Sequence, residues 1–230
     1  MTREPQSIVD QIYLELKRQV MVFELKPGAR LNEVEIARSL GASRTPLREA
    51  LNRLTAEGFL TFIPGKGFFC RILDAEEIFD LYEFRKSLEV SAVRLAIQRA
   101  KDEEIKELDE FLDQTSEEEG YTVFQLVEFD EMFHERLMAM SRNREMLRVL
   151  RNINDRIKFV RWIDMKRGSR TKTQAEHRSI VKALAARDEV ACVAVLENHI
   201  VRRLDQMTSA IREGFAEIYM GKEQVALAAR

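Results

Sequence analysis

Three histidines occur in this chain, and all three fall on apolar faces of predicted helices. A single histidine in an apolar stripe is more often a core residue than a ligand. His134, however, follows Asp130 by four residues, which places a carboxylate oxygen and an imidazole nitrogen side by side on one helix face. His177 and His199, on neighbouring helices, would complete a set of three nitrogens and one oxygen. Because such a set suits a first-row divalent ion, we predict one ion per chain, either zinc, nickel or manganese.

Arg85 interrupts a second apolar stripe, on the first helix of the same region. The stripe consists of Ile78, Leu81, Leu88, Ala92 and Leu95. An arginine in such a position either pairs with a carboxylate or binds an anionic ligand. Glu89 lies four residues further on, the spacing of a helical ion pair. The residues alone therefore leave both an Arg85–Glu89 pair and a ligand contact open.

A third chemical pattern is the arginine-bearing helix that is predicted over residues 43–54. Ser43 is a suitable N-cap, and Pro46 falls in the first turn, where its missing N–H costs nothing. One face is apolar, with Leu47, Ala50, Leu51 and Leu54, and the other is polar, with Arg44, Thr45, Arg48, Glu49 and Asn52. Arginines in the first two turns suit base readout in the DNA major groove, although a solvated amphipathic helix would show the same pattern.

The segments on either side of this helix favour DNA binding. A first helix begins near Ile8, and a short second helix follows Asn32 and ends at Gly41. After the arginine-bearing helix, two β-type runs, 59–63 and 68–72, flank the turn Pro64-Gly65-Lys66-Gly67. Helix, helix-turn-helix and hairpin in this order predict a winged helix, with Lys66 at the wing tip able to approach a phosphate or the minor groove.

The remaining chain predicts only helices. They begin near Asp74, Asp102, Thr122, Asn143, Thr173 and Asp188, and a polar loop is expected over residues 168–172. The acidic end at Glu117–Glu119 opposes the helix dipole and is expected to fray. We predict a mainly α protein: residues 1–72 form a winged helix-turn-helix of three helices and a β-hairpin. Residues 73–230 form an antiparallel bundle of about six helices.

Composition limits the function classes. The net charge of −2 over 230 residues excludes a uniformly basic nucleic-acid coat. The charge is uneven, with 11 Lys/Arg against 8 Asp/Glu in residues 1–72 and 26 against 31 in the remainder. Two distant cysteines give no disulfide framework and no cysteine-type zinc site. There is no signal peptide and no apolar run of about 20 residues, so we expect a cytoplasmic protein without a membrane partner.

The run from Leu31 to Leu51 resembles the N-terminal domain of the GntR family of bacterial transcription regulators. Its pattern L-G-x-S-R-T-P-x-R-E-A-L is highly specific, and the Gly-Lys-Gly wing agrees with it. Some members carry an early DNA-contacting arginine in the second helix where this chain has Val34, and Arg38, one turn later, is the candidate for a backbone contact. The resemblance and the helix pattern together imply a DNA-binding set of Arg38, Ser43, Arg44, Thr45, Arg48, Gly65 and Lys66.

The helical region resembles the FCD (FadR C-terminal) ligand-binding domain of one branch of that family. In metal-binding members, an Asp-x-x-x-His pair, the histidine of E-H-R-x-I and a histidine of the last helix hold the ion. The matching residues here are Asp130, His134, His177 and His199. The resemblance implies a pocket at the ion for a small carboxylate. Arg85, in a segment similar to L-x-E-x-R-x-x-L-E, becomes the candidate effector contact.

These observations predict a homodimeric transcription regulator, not an enzyme, that binds a roughly palindromic double-stranded operator and responds to a small organic acid. One alternative is a metal-dependent hydrolase that uses the three histidines and Asp130. Against it, no His-Glu-x-x-His motif occurs, no histidine is left to act as a base, and Glu128 and Glu131 flank the apolar stripe. A second alternative is a metal-free regulator whose histidines bind the effector directly.

Overall fold

The computed structural model describes residues 7–72, 74–116, 120–167 and 170–201. These residues form two compact units that meet in the sequence between Asp74 and Ala75. Each unit has its own fold. The fold class is mainly α with a single two-stranded hairpin in the described residues, as the sequence predicts.

The first unit begins with three helices, α1 (Ile8–Met21), α2 (Glu33–Ser39) and α3 (Arg44–Ala56). The predicted start of α2 is confirmed, because Asn32 accepts hydrogen bonds from the backbone N–H groups of Val34 (3.2 Å) and Glu35 (3.3 Å). Ser43 is the N-cap residue of α3 by position, but its hydroxyl makes no capping hydrogen bond. The expected Ser43 side-chain cap is therefore wrong.

The wing follows α3 directly. Strands β1 (Leu60–Ile63) and β2 (Gly67–Cys70) pair antiparallel, with Leu60 opposite Cys70 and Ile63 opposite Gly67. Gly65 and Gly67 take positive φ values of 75° and 94°, which side-chain-bearing residues rarely adopt. The predicted hairpin is confirmed, although each strand is one residue shorter than expected, and the second begins one residue earlier and ends two residues earlier. Leu47, Ala50, Leu51 and Leu54 of α3 are fully buried against α1 and the hairpin.

The second unit contains only helices in its described part. They are α4 (Ala75–Arg99), α5 (Asp102–Gln114), α6 (Val123–Met140), α7 (Arg144–Arg167), α8 (Arg170–Ala185) and α9 (residues 189–201). Thr122 and Gln125 form the expected capping box at the start of α6. The acidic end at Glu117–Glu119 and the predicted continuation of the last helix beyond residue 201 lie outside the described residues. No helix in the described ranges has the length and apolarity that a membrane span requires.

One predicted boundary in this unit is wrong. Residues 168–172 were expected to form a loop, with a helix from Thr173, but α8 already begins at Arg170. Arg170 is buried, and its Nη2 donates to the carbonyl oxygen of Thr115 at 2.7 Å. Gln174, one turn later, donates to the same carbonyl oxygen at 3.1 Å. The first turn of α8 thus satisfies the C-terminal end of α5, a tertiary contact that the sequence of this segment does not reveal.

Both cysteines are buried and free. Burial raises the pKa of the Cys70 thiol and that of the Cys192 thiol to about 11 each. A thiol with such a pKa is protonated at neutral pH and is therefore a poor nucleophile and a poor metal ligand. The expectation that neither cysteine forms a disulfide agrees with the structure.

Candidate functional site

The first unit carries a polar surface groove between α2, the start of α3 and the wing. Its volume is about 570 Å³, and it brings together three of the predicted DNA-binding residues, Arg44, Arg48 and Lys66. Arg30 and Asn32 also line it, and the sequence reasoning did not select either as a DNA contact. Arg30 pairs with Phe69 of the wing through a backbone bridge, which the sequence does not predict. Four basic side chains on one groove give the electrostatic character that a DNA backbone requires.

The other predicted DNA-binding residues lie outside the lining of this groove. Arg38, Ser43, Thr45 and Gly65 are all exposed on the surface of the same unit. Among the described residues, Glu33 is the only acidic one in the lining, and its Oε2 lies 3.2 Å from Nε of Arg48. The solvated alternative for the arginine-bearing helix is less favoured because its two arginines, Arg44 and Arg48, share one concave surface with Lys66 and Arg30.

In the second unit, the four predicted metal ligands come together in the interior. Asp130 and His134 lie one turn apart on α6, His177 lies on α8, and His199 lies on α9. One potential ligand atom of each residue lies within 4.8 Å of those of the other three, and all four side chains are buried. Helical spacing alone brings Asp130 and His134 together. The packing of α6, α8 and α9 brings His177 and His199 to them.

Two carboxylates orient two of the imidazole rings. Nδ1 of His134 lies 2.6 Å from Oε2 of Glu89, and Nδ1 of His199 lies 2.8 Å from Oε2 of Glu176. A carboxylate beside Nδ1 favours the tautomer with its proton there, so that the Nε2 lone pair is presented to the centre of the cluster. Glu176 is not predicted as a site residue from the sequence, although it directly precedes His177. Glu89 is predicted only as a partner of Arg85.

The distances inside the cluster suit a divalent ion. The two Nε2 atoms of His134 and His199 are 3.2 Å apart, and Nε2 of His177 is 3.3 Å from Oδ1 of Asp130. Metal–nitrogen bonds of about 2.0–2.1 Å in tetrahedral geometry separate neighbouring ligand atoms by about 3.3 Å. Two nitrogen lone pairs that face each other so closely repel unless a proton or a cation lies between them. The donor set and its orientation therefore fit the predicted metal.

Arg161 is a buried partner of the cluster that the sequence reasoning did not select. Its Nη2 contacts Oδ2 of Asp130, and its Nη1 lies 3.5 Å from Oε1 of Glu131. The guanidinium orients the Asp130 carboxylate, which has its other oxygen beside His177. The signal was present, because Arg161 follows the buried Ile157 by four residues on α7 and so interrupts an apolar stripe as Arg85 does.

Arg85 combines features of both alternatives considered for it. Its Nε lies 2.5 Å from Oε1 of Glu89, so the helical ion pair exists. Burial by itself would raise the pKa of the Glu89 carboxyl, but Arg85 and His134 outweigh burial and hold that pKa below its usual range. Arg85 also lines a small cavity of about 10 Å³ beside the cluster. The other lining residues are Tyr82, Asp130, His134, Arg161, His199 and Ile200.

Glu131 departs from the expectation that it flanks the apolar stripe of α6. It is buried and contacts Nζ of Lys158 at 3.1 Å. Burial raises the pKa of the Glu131 carboxyl to about 6, against the opposing effect of Lys158. Glu131 is buried because α7 packs over this side of α6 and brings Lys158 and Arg161 beside it.

Comparison with known proteins identifies the two units. Residues 8–70 match the family described as bacterial regulatory proteins, gntR family, and residues 80–202 match the FCD domain. This chain belongs to the GntR family. The resemblance that the Leu31–Leu51 run and the histidine pattern indicate is thereby confirmed for both the DNA-binding and the FCD parts.

Relatives of this GntR regulator agree with the assignment. The Nta operon transcriptional regulator of Aminobacter aminovorans is 49% identical over 86% of this chain and 93% of its own length. The uncharacterized HTH-type transcriptional regulator YdhC of Bacillus subtilis is 31% identical over 89% of this chain and 92% of its own length. The E. coli McbR/YncC structure has the same fold, with a TM-score of 0.68 at 22% identity over 89% of this chain and 99% of its own. The GntR chain is thus a DNA-binding transcription regulator, and the predicted absence of enzymatic activity agrees with its families and relatives.

We expect Glu89→Gln to weaken zinc binding by this GntR regulator about 10- to 100-fold, the usual effect of losing a carboxylate that orients a histidine ligand. The measurement is competition for zinc against a chromogenic chelator. Glu83→Gln makes the same charge change at an exposed position of α4 and is expected to leave the affinity unchanged. Equal affinities of the two variants would show that Glu89 does not orient a metal ligand.

Proposed function

We propose that this protein is a homodimeric, sequence-specific regulator whose operator affinity depends on a small carboxylate bound at a metal ion. In this proposal, residues 1–72 bind one half-site of a roughly palindromic operator, and residues 73–230 bind the ion and the effector and form the dimer. The protein acts in the cytoplasm, where bacterial operators are. A relative 49% identical is named for the operon that it regulates, which supports a comparable role here.

The DNA-binding set of the proposal consists of Arg38, Ser43, Arg44, Thr45, Arg48, Gly65 and Lys66. The groove supports it, because Arg44 and Arg48 project from the first two turns of α3 and Lys66 from the wing tip. Arginines at the start of a recognition helix suit bidentate contacts with guanine, whereas a lysine between two glycines suits a phosphate. Arg38, in the last turn of α2, and Arg30, which precedes α2, are candidates for contacts with the DNA backbone.

The metal half of the proposal rests chiefly on one observation, the close approach of the Nε2 atoms of His134 and His199 while Glu89 and Glu176 engage their Nδ1 atoms. Asp130, His134, His177 and His199 would hold one zinc, nickel or manganese ion. A bound divalent ion would act as a Lewis acid that accepts a carboxylate oxygen of the effector. Arg161, Glu89 and Glu176 would fix the ligands that receive it.

Arg85 is the proposed second contact of the effector. Of the nitrogens of Arg85, only Nε donates a hydrogen bond to Glu89. Among the described residues, none forms a hydrogen bond with the two terminal nitrogens of Arg85. Those terminal nitrogens can donate to a carboxylate while the Glu89 pair stays intact. The adjoining cavity of about 10 Å³ has room for about one water molecule, so the effector is compact or its binding moves the wall.

Effector binding changes operator affinity only through its differential affinity for two states of the dimer. The metal-free alternative keeps the same residues but lets the histidines contact the effector directly. Chelation separates the two, because effector binding that survives removal of the ion supports the metal-free alternative. The hydrolase alternative has no support among the families and relatives of this chain.

We expect Arg48→Ala to lower affinity for a duplex selected by the wild-type protein from a random pool about 10- to 100-fold, because one bidentate arginine–guanine contact is lost. Fluorescence anisotropy on the selected duplex and on a scrambled duplex measures the effect. Lys26→Ala removes one charge from the same unit outside the groove and is expected to change both affinities little. An undiminished preference of Arg48→Ala for the selected duplex would remove Arg48 from the readout.

We expect the protein purified without chelators to contain about one divalent ion per chain, and His177→Ala to lose it while retaining DNA binding. Elemental analysis measures the metal content, and the same anisotropy assay measures DNA binding. Cys192→Ala is the control on α9, since the Cys192 thiol donates to the carbonyl oxygen of Ile180 at 3.7 Å and is no ligand in the proposal. Full metal content in His177→Ala would contradict the assignment.

We expect Arg85→Lys to keep the metal but to bind small carboxylates about tenfold more weakly. Lysine lacks the planar guanidinium, whose several N–H groups can donate to Glu89 and to the effector at the same time. Calorimetric titration of the zinc-loaded protein with acetate, lactate, malate and citrate identifies the strongest binder and then compares the variants. Arg94→Lys makes the same change at an exposed position of α4. If the two variants bind that carboxylate equally, Arg85 is not an effector contact.

A further inference from the structure

Glu33 is an acidic residue in a groove of basic ones. The described lining of the groove contains Arg30, Arg44, Arg48 and Lys66, and Glu33 is its single carboxylate. A carboxylate that faces DNA repels the phosphates and lowers affinity for every duplex. Its position therefore calls for a role other than affinity.

The fold holds Glu33 between the recognition helix and the wing. Glu33 begins α2, whose start is fixed by Asn32, and the backbone N–H of Leu31 donates to the carbonyl oxygen of Phe68 at 2.9 Å. Glu33 also lies beside Gly67 of the wing, since a Cβ at that position would be 3.9 Å from Oε1 of Glu33. Its side chain is 25% exposed, against 55% for Arg48, so Glu33 is the more constrained partner.

The contact leaves the reading end of Arg48 available. Oε2 of Glu33 lies 3.2 Å from Nε of Arg48 as an ion pair, and no hydrogen bond within the described residues occupies the terminal nitrogens of that guanidinium. The two terminal nitrogens are the ones that reach guanine O6 and N7 in a bidentate contact. An arginine held at Nε has fewer conformations to lose when it binds, which makes the contact with the correct base more favourable.

We infer that Glu33 is a specificity-determining residue that positions Arg48 for base readout, an inference that rests on the proposed role of Arg48. The charge of Glu33 lowers the affinity for every DNA sequence. The loss is smallest for the correct sequence, because there the positioned Arg48 offsets part of it. The structure thus assigns to α2 a part in base selection, exerted through α3. Direct acceptance of a cytosine amino group by Glu33 is the competing role, and it predicts a different result below.

The test compares Glu33→Ala with Glu35→Ala. Both remove one carboxylate from the first turn of α2, and Glu35 is exposed outside the groove lining. Anisotropy titrations on the selected and the scrambled duplex give a specificity ratio for each variant. We expect Glu33→Ala to lower this ratio about three- to fivefold, within the range of a partly exposed ion pair, and Glu35→Ala to leave it unchanged. Equal ratios for the two variants overturn the inference.

A double-mutant cycle separates positioning from direct readout. If Glu33 acts through Arg48, adding Glu33→Ala to Arg48→Ala lowers the ratio no further, whereas a further loss shows direct readout and overturns the inference. Wild-type behaviour of Arg48→Ala alone would instead refute the proposed role of Arg48. Glu33→Gln preserves the shape of the side chain at the wing. If this variant loses as much of the specificity ratio as Glu33→Ala while its melting temperature is unchanged, a folding defect is excluded as the cause.

Discussion

The helical unit buries ionised side chains at its centre, and each of them must be met by an opposite charge or a hydrogen bond. Removing a charge from water is costly, so a buried charge persists only with partners. Arg85 and Glu89 on α4, Asp130 on α6 and Arg161 on α7 satisfy this requirement as pairs. The ion pairs extend to the three imidazoles, so the arrangement of α4, α6, α7, α8 and α9 and the chemistry of the cluster depend on the same contacts.

This constraint also explains why the cluster suits a ligand that carries charge. Each potential metal ligand is oriented by a group outside the cluster: Glu89 for His134, Glu176 for His199, and Arg161 for Asp130. His177 is held differently, by stacking on the ring of Phe133 at a centroid distance of 3.9 Å. Rigid donors reduce the reorganisation that binding requires, which is the condition for a selective site.

The DNA-binding unit has the opposite requirement. Its charged groups must remain exposed to solvent and DNA, whereas those at the centre of the helical unit are buried. Its core is apolar, and the polar links lie at the surface, where Tyr13 of α1 donates to Glu57 after α3 at 2.6 Å and Arg53 contacts Asp10 at 2.7 Å. These links fix α3 against α1 without using the groove. None of these links involves Arg44, Arg48 or Lys66.

The sequence by itself determined the local features of this protein. Apolar stripes predicted the helices, Asn32 and Thr122 predicted helix starts, the Pro-Gly turn predicted the wing, and the i,i+4 spacing placed Asp130 beside His134. Each of these features depends on residues close in the chain, where spacing fixes geometry. The apolar faces around His177 and His199 indicated these two residues as further ligands, and the family resemblance, together with the helix pattern, indicated the DNA-binding set.

Only the tertiary structure decided the partners that lie far apart in the chain. It paired Glu89 with His134, Glu176 with His199 and Arg161 with Asp130, and it set Glu33 beside Arg48. It also extended α8 to Arg170, whose partner is a carbonyl oxygen 55 residues earlier. Local periodicity shows that a charged residue faces the interior, but it cannot show which other helix supplies its counter-charge. That choice follows from the packing of whole helices against one another.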